Sequence, residues 1–174
     1  MRRRCLLAAA GGALASGCGY ALQGRGITTD SSIKRIGVPL FKDRSGKPGL
    51  DARVTQAVVE ELLKRGRFTI VKEATNVDAL VEGEIVAWNV VPVNFNSDTG
   101  TTQATRYAIS LTANVVYRKI GQKEPIWANE AISQRDEYDM GQNAQSYFDM
   151  EAQSIERLAA SFARSLVAAM LEAF

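Results

Sequence analysis

The most constraining feature of this sequence is the regular alternation of side chains over residues 106–119. Large and apolar residues occupy every second position, namely Tyr107, Ile109, Leu111, Ala113, Val115 and Tyr117, with small or polar residues between them. Because successive side chains of a β-strand point to opposite faces, this pattern predicts a long strand with one face in a core. Less regular extended runs at 81–93 and 125–133 predict two more strands, and short connections would join the three as an antiparallel meander.

A strand-helix-strand unit is predicted before the meander. Residues 33–41 alternate like a half-buried strand, and residues 67–71 are a second strand that a crossover would place parallel to the first. Between them, residues 50–65 have apolar residues at helical spacing, and Gly66 stands where a helix C-cap is expected. The apolar face of this helix is formed by Leu50, Val54, Ala57, Val58 and Leu62.

The last predicted element is an amphipathic helix over residues 149–173, with Ser146 and Asp149 as a weak capping box. Its apolar stripe comprises Ile155, Leu158, Ala159, Phe162, Leu166, Ala169 and Met170. Two helices and one sheet with an apolar face can bury each other as two layers. The predicted fold class is therefore α+β, a two-layer sandwich with both helices on one face of a mixed sheet of four to five strands, in the order β-α-β, antiparallel meander, C-terminal helix.

The N-terminus is typical of an export signal. Three arginines precede a short apolar run over residues 5–14, and Ala15-Ser16-Gly17 leads to Cys18. This tetrapeptide resembles the bacterial lipobox, although Ala15 stands where that pattern prefers Leu. The alternative is an ordinary secretory signal with a free or paired cysteine, but Cys5 would leave with the signal and Cys18 would have no partner within the chain. We therefore expect Cys18 to be the lipidation site, and Gly19 after it favours sorting to the outer membrane.

Three segments are predicted on this basis. Residues 1–17 are a lipoprotein signal peptide, residues 18–32 a lipidated tether rich in glycine and short polar residues, and residues 33–174 a single α+β domain. The membrane would be reached through the lipid at the N-terminus, because the apolar run is shorter than the roughly 20 residues that a membrane-spanning helix needs.

The charge pattern and residue inventory exclude several classes of function. Three of the 21 Lys and Arg lie in residues 2–4, which leaves 18 against 19 acidic residues after the signal peptide and argues against a nucleic-acid-binding protein. The chain has no histidine, so it lacks the commonest general base and metal ligand. Neighbouring carboxylates such as Glu82 and Glu84 fit a solvated strand better than acid-base catalysis. We predict no enzymatic activity, no catalytic residues, no metal site and no cofactor.

Taken together, the chain resembles the lipopolysaccharide-assembly lipoproteins of the LptE family. The resemblance runs from Cys18 to the end and is carried by "CGYALQGRG", "IKRIGVPLFKDRSGKPGLDARVTQAVVEELLKRGRF", "VEGEIVAWNVVPV", "ATRYAISLTANVVY" and "SFARSLVAAML". It implies a lipoprotein at the periplasmic face of the outer membrane. It also implies a 1:1 heterodimer in which the protein plugs the barrel LptD, helps to assemble it, and binds lipopolysaccharide for delivery to the outer leaflet.

A second resemblance comes from a different class of lipoprotein. Residues 35–71 also look like the opening strand and helix of the CsgG and LpoB group, which act in secretion channels or activate cell-wall synthases. The length leaves no room for channel-forming hairpins, and the long meander fits that group poorly.

If the ligand is lipopolysaccharide, its phosphates require cations. Residues 94–105 are predicted to be a long polar loop suited to a barrel interior, so Asn94, Phe95 and Asn96 are the expected partner contacts and Arg106, beside the loop, the first ligand-binding candidate. Lys119 is the second candidate, in a cluster expected at the opposite end of the sheet with Lys42, Arg44, Lys47 and Lys123, whereas Lys34, Arg35 and Arg67 are expected at the end of Arg106. The simpler interpretation of both clusters is that they are merely solvated.

Overall fold

A mixed β-sheet forms one layer of the structure and two helices form the other. The computed structural model describes residues 32–98, 101–140 and 144–172. In chain order its elements are β1 (Arg35–Gly37), β2 (Lys42–Asp43), α1 (Leu50–Lys64), β3 (Thr69–Val71), β4 (Ala79–Asp98), β5 (Thr101–Lys119), β6 (Trp127–Asp139) and α2 (Ala144–Glu172). The predicted signal peptide, Cys18 and the tether up to residue 31 lie outside the described residues.

The strand order is β3-β1-β4-β5-β6, with the two-residue β2 beside β4. β1 is parallel to β3 and to β4, whereas β4, β5 and β6 are antiparallel to one another. The β-α-β unit, the meander and the C-terminal helix therefore follow in the predicted order, and the predicted fold class is confirmed. The additional strand β2 raises the number of strands in the described sheet to six.

The core lies between the helices and the sheet face that the alternation predicts. Side chains of β5 at 109, 111, 113, 115 and 117 are fully buried, as are Val54, Val58 and Leu62 of α1. The helix α1 contacts β2 and β3, α2 contacts β5 and β6, and the two helices contact each other. Buried residues of α2 include Ile155, Leu158, Ala159, Phe162, Leu166 and Met170, so the predicted stripe forms its inner face.

Asp78 joins the beginnings of β1 and β4 to the end of β5. Its Oδ2 accepts hydrogen bonds from the backbone N–H groups of Lys34 and Arg35, both at 2.8 Å, and its carbonyl accepts one from the N–H of Ile120 at 2.9 Å. These two backbone donors are the main reason why the pKa of Asp78 is lowered. We call this end of the sheet, where β4 begins and β5 ends, the proximal end. The distal end is the one at which β4 is followed by β5.

The prediction of a loop at residues 94–105 is wrong. β4 and β5 continue as paired strands from Asn94 opposite Arg106 to Asp98 opposite Thr101, so that only residues 99 and 100 lie outside the described ladder. β6 ends at Asp139, opposite Arg106. Residues 94–98 of β4 and 101–106 of β5 therefore form a two-stranded ribbon beyond the three-stranded part of the sheet. Their Asn, Ser and Thr side chains suggested a loop, but backbone hydrogen bonds of a hairpin do not require apolar side chains.

Several other boundaries differ from the prediction. β1 has three residues instead of nine, β6 runs six residues beyond 133, and α2 begins five residues before 149. The extra part of β6, "QRDEYD", is a strand at the edge of the sheet, where charged side chains are common and hide the apolar alternation. No helix in the described part of the chain is long and apolar enough to cross a membrane.

Candidate functional site at the distal end of the sheet

Large apolar side chains are exposed at the distal end. Phe95 on the ribbon is 56% exposed, and Phe148 in the first turns of α2 is 61% exposed. Met140, which follows β6, is held beside the ribbon because its N–H bonds to the carbonyl of Thr105 at 2.8 Å. Exposed apolar side chains gathered at one end of a domain make that end a candidate for an interaction site. The exposed apolar residues of this end are Val90, Val91, Phe95, Met140, Phe148 and Met150.

Three tyrosines near these residues pack α2 against the sheet. Tyr107 of β5 stacks on Tyr138 of β6 with 5.8 Å between ring centroids, and Tyr147 of α2 lies 6.2 and 6.0 Å from them. The hydroxyl of Tyr138 donates to that of Tyr147 at 3.3 Å. Burial, and then this hydrogen bond, raises the pKa of Tyr138, so its hydroxyl stays protonated. Phe148 joins the cluster through Tyr147, at 5.5 Å.

Arg106 lies where the ribbon leaves the three-stranded part of the sheet. Its Nε donates to Oδ1 of Asp139 at 2.7 Å, and its Nη1 is 4.0 Å from Oε2 of Glu137. The hydrogen bond with Asp139 is the main cause of the raised pKa of Arg106. The side chain is 43% exposed, and ion pairs at that exposure are weak enough for an anionic ligand to compete with them.

The structure brings Arg106 together with two of the three predicted partner contacts. Asn94 is its register partner on β4, and Phe95 follows. Asn96 continues the same strand opposite Gln103. Lys119 is at the other end of β5, thirteen residues away, which is about 43 Å along an extended strand. There its Nζ donates to Oγ of Ser32 at 2.7 Å, so Arg106 and Lys119 do not form one site.

The predicted division of cations between the two ends is wrong for Lys34, Arg35 and Arg67. Lys34 and Arg35 lie at the proximal end beside Asp78, near Lys119, because β1 is parallel to β4 and begins where β4 begins. Arg67 precedes β3, which is parallel to β1, and therefore lies at the same end. The prediction assumed that β4 runs antiparallel to β1 and β3. Since β1 and β3 have only three residues each, the seven residues between β3 and β4 are enough to bring the chain back to the start of the sheet.

Two features of the structure escaped the sequence analysis. The tyrosine cluster joins Tyr107 of β5 to Tyr138 and Tyr147, which follow it by 31 and 40 residues. The available signal was Tyr138 within the charged segment "DEYDM" of a strand predicted to end earlier. The other is a groove of about 450 Å³ on the outer face of the sheet, lined mainly by Pro39, Leu40, Lys42, Glu84, Asn114 and Val116. Within the described ranges, no three His, Cys, Asp or Glu side chains lie close enough to hold a metal ion.

The same fold occurs in other bacterial proteins of known structure. Rare lipoprotein B from Shewanella oneidensis superimposes with a TM-score of 0.51 at 13% identity, covering 80% of this chain and 95% of that one. A hypothetical protein from Chlamydia trachomatis gives a TM-score of 0.52 at 11% identity, with 81% and 99% covered. A protein from Xanthomonas campestris gives 0.51 at 12% identity, with 82% and 85% covered. At these identities the likeness shows a shared fold.

The fold and the distal end thus define a class, that of two-layer α+β domains with exposed apolar side chains at one end of the sheet. The family is shown by the sequence. The model of the lipopolysaccharide-assembly family LptE matches residues 33–170, nearly the whole predicted domain. The chain belongs to the LptE family, and the first of the two resemblances found in the sequence is confirmed.

Proposed function

We propose that this protein is a lipid-anchored component of the lipopolysaccharide transport machinery at the periplasmic face of the outer membrane. In this proposal it plugs the LptD barrel as a 1:1 heterodimer, assists assembly of that barrel, and binds lipopolysaccharide for delivery to the outer leaflet. The observation that carries the proposal is the family match over residues 33–170. The protein would act by binding rather than by catalysis, consistent with the absence of histidine from the chain.

The ribbon and its surroundings are the proposed contact with the barrel. Barrel interiors are polar, and the ribbon carries Asn, Ser, Thr and Gln along both strands. Asn94, Phe95 and Asn96 lie where the ribbon begins, and the exposed ring of Phe95 would anchor the contact. In this arrangement the proximal end of the domain would lie outside the contact with the barrel.

Arg106 is the proposed contact for a lipopolysaccharide phosphate. A guanidinium can bind phosphate through two parallel hydrogen bonds, and the nearby exposed Phe95 and Met140 offer apolar cover for acyl chains. The phosphate would replace the carboxylate of Asp139 as the partner of Arg106. Lys119 would make a separate cationic contact at the proximal end.

The test of ligand binding compares two arginines of β5. Arg118 is 45% exposed and bonded to Glu82 at 2.9 to 3.0 Å, so it matches Arg106 in strand, exposure and ion pairing but lies near the proximal end. Arg106→Ala should weaken binding of purified lipopolysaccharide about ten-fold, as expected for a charge-assisted hydrogen bond, and Arg118→Ala should not. Equal affinity of the Arg106→Ala protein and the parent would remove Arg106 from the site.

Barrel association requires a second test. Phe95→Asp should reduce co-purification of LptD with the protein, because a charge replaces an exposed apolar anchor. The control is Leu63→Asp, a change on α1 at a similar exposure of 52% and away from the distal end. Undiminished recovery of the barrel with Phe95→Asp, or an equal loss with both variants, would contradict a contact at the ribbon.

A further inference from the structure

A cavity of about 320 Å³ lies between the middle of α2 and the edge strand β6. Half of the residues that line it are arginines, and we call it the arginine cavity. Arg135 in its wall lies four residues before Asp139, the partner of Arg106, which is about 13 Å along an extended strand. The cavity is therefore separate from the contact proposed for Arg106. Its lining residues are Arg135, Asp136, Arg157, Ala160, Ser161 and Arg164.

The spacing of residues along α2 explains the shape of the cavity. Arg157, Ser161 and Arg164 follow one another at intervals of four and three residues, so they share one face of the helix. Arg157 and Arg164 are two turns apart, which is about 10 Å of helix rise. Ala160 and Ser161, between them, have short side chains. The two arginines therefore line a common space that the intervening residues leave open.

Arg157 is held in position by contacts within the protein. Its Nε donates to Oδ2 of Asp136 at 3.1 Å, and its Nη2 donates to Oγ of the buried Ser154 at 2.8 Å and to the carbonyl of Glu137 at 3.3 Å. Its Nη1 makes no hydrogen bond within the described part of the chain, so two N–H donors remain. The side chain is 54% exposed, and a solute can reach these donors.

The charges around the cavity leave one cation unmatched. Asp136 is paired with Arg157 and Glu137 with Arg135, each at 2.9 Å. Arg164 is exposed and forms no ion pair with any residue that the structure describes. Three arginines thus face two carboxylates, and the excess of one positive charge favours an anion in the cavity.

We propose that the arginine cavity binds a phosphate group. Arg164 pairs with the phosphate, and the remaining N–H groups of Arg157 and Arg135 donate to its other oxygens. Guanidinium groups match the oxygens of a phosphate in geometry as well as charge. A carboxylate, with two oxygens and a single charge, would use fewer of these donors. The inference does not depend on lipopolysaccharide binding at Arg106 or on contact with the barrel.

Inorganic phosphate is the smallest probe of this site. Added to the full-length protein at constant ionic strength, it should shift the NMR signals of the Nε–H groups of Arg135, Arg157 and Arg164 in a saturable way, with a Kd on the order of millimolar. Acetate should bind at least about three-fold more weakly. Absence of saturable shifts, or equal affinity for phosphate and acetate, would overturn the proposal.

Two variants test the cavity, and a third serves as control. Arg164→Gln removes the unmatched cation without breaking an ion pair, so the fold should persist while affinity for phosphate falls about five-fold or more. Ala160→Leu fills the cavity with a good helix former and keeps all three charges, so it should weaken binding as well. Arg67→Gln changes another exposed arginine, near the proximal end, and should have no effect. Unchanged affinity in Arg164→Gln or Ala160→Leu, or an equal loss in Arg67→Gln, would refute a phosphate site here.

Dihexanoylphosphatidic acid, used below its micelle concentration, distinguishes a lipid headgroup from free phosphate. Tighter binding than that of inorganic phosphate, with the same dependence on Arg164, would support the site and assign it to a lipid headgroup. Equal or weaker binding with that dependence would support the site and assign it to free phosphate. Binding of this lipid that is unchanged in Arg164→Gln would contradict the proposal.

Discussion

The aromatic ring of Phe41 lies directly over Gly83, in the space that a side chain at this position of β4 would occupy. Phe41 is almost fully buried, and its N–H donates to Oγ1 of Thr55 at 3.0 Å, so its position is fixed from both sides. Alanine normally stabilises a strand relative to glycine. We predict instead that Gly83→Ala lowers the free energy of unfolding by about 1–3 kcal/mol through overpacking, as measured by urea denaturation.

A double-mutant cycle provides the control for this prediction. In a Phe41→Leu background the ring is gone, and Gly83→Ala should then cost clearly less than it does in the parent. The same cost in both backgrounds would show that the contact with Phe41 is not the cause.

Phe162 and Phe148 offer a matched comparison within α2. Phe162 is 1% exposed and packs between the layers, whereas Phe148 is exposed at the distal end. Phe162→Ala should reduce the free energy of unfolding by about 3–5 kcal/mol, since it leaves a cavity in the core. Phe148→Ala should change it by less than about 0.5 kcal/mol. Denaturant melts measure both, and a small loss at Phe162 would mean that the inner face of α2 is misassigned.

The elements predicted best were those whose side chains have one buried and one solvated face. β5 is the clearest case, because every second residue from Ile109 to Tyr117 is buried and the strand extends for its full predicted length. The apolar spacing of α1 and α2 was equally informative, since helical periodicity survives wherever a helix lies on a sheet.

The ribbon and the edge strand were harder to predict. The pairs from Asn94–Arg106 to Asp98–Thr101 are held by backbone hydrogen bonds, which leave no apolar pattern in the sequence. Arg106 was predicted to lie beside a loop at these positions, and its pairing with Asp139 depends on β6 extending beyond residue 133. The direction of β4 relative to β1 is a matter of topology, which local patterns do not encode.

Cys18 is predicted to carry the lipid that anchors the protein. The Cys18→Ala variant should appear in the soluble periplasmic fraction, because its only proposed link to the membrane apart from the barrel is the acyl chains, each of which contributes about 0.8 kcal/mol per buried CH₂. Fractionation is best carried out in cells depleted of LptD, so that binding to the barrel does not retain the protein. Firm membrane association of the variant under those conditions would contradict lipidation as the anchor.

Asp78 should make stability depend on pH in the acidic range. The N–H groups of Lys34 and Arg35 stabilise its charged form and lower its pKa on folding from the ordinary value of 3.8. The unfolded chain therefore binds more protons as the pH falls through this range, and the contribution of Asp78, fully present above 3.8, is lost as the pH approaches the lower pKa of the folded state. Asp78→Asn should be less stable than the parent at pH 7, and the difference in urea midpoint should shrink below pH 3.8. The control Glu130→Gln removes an exposed carboxylate of β6 and should retain the parent's pH dependence. A difference between Asp78→Asn and the parent that stays constant from pH 7 to pH 2 would show that the charge of Asp78 does not hold β1 to β4.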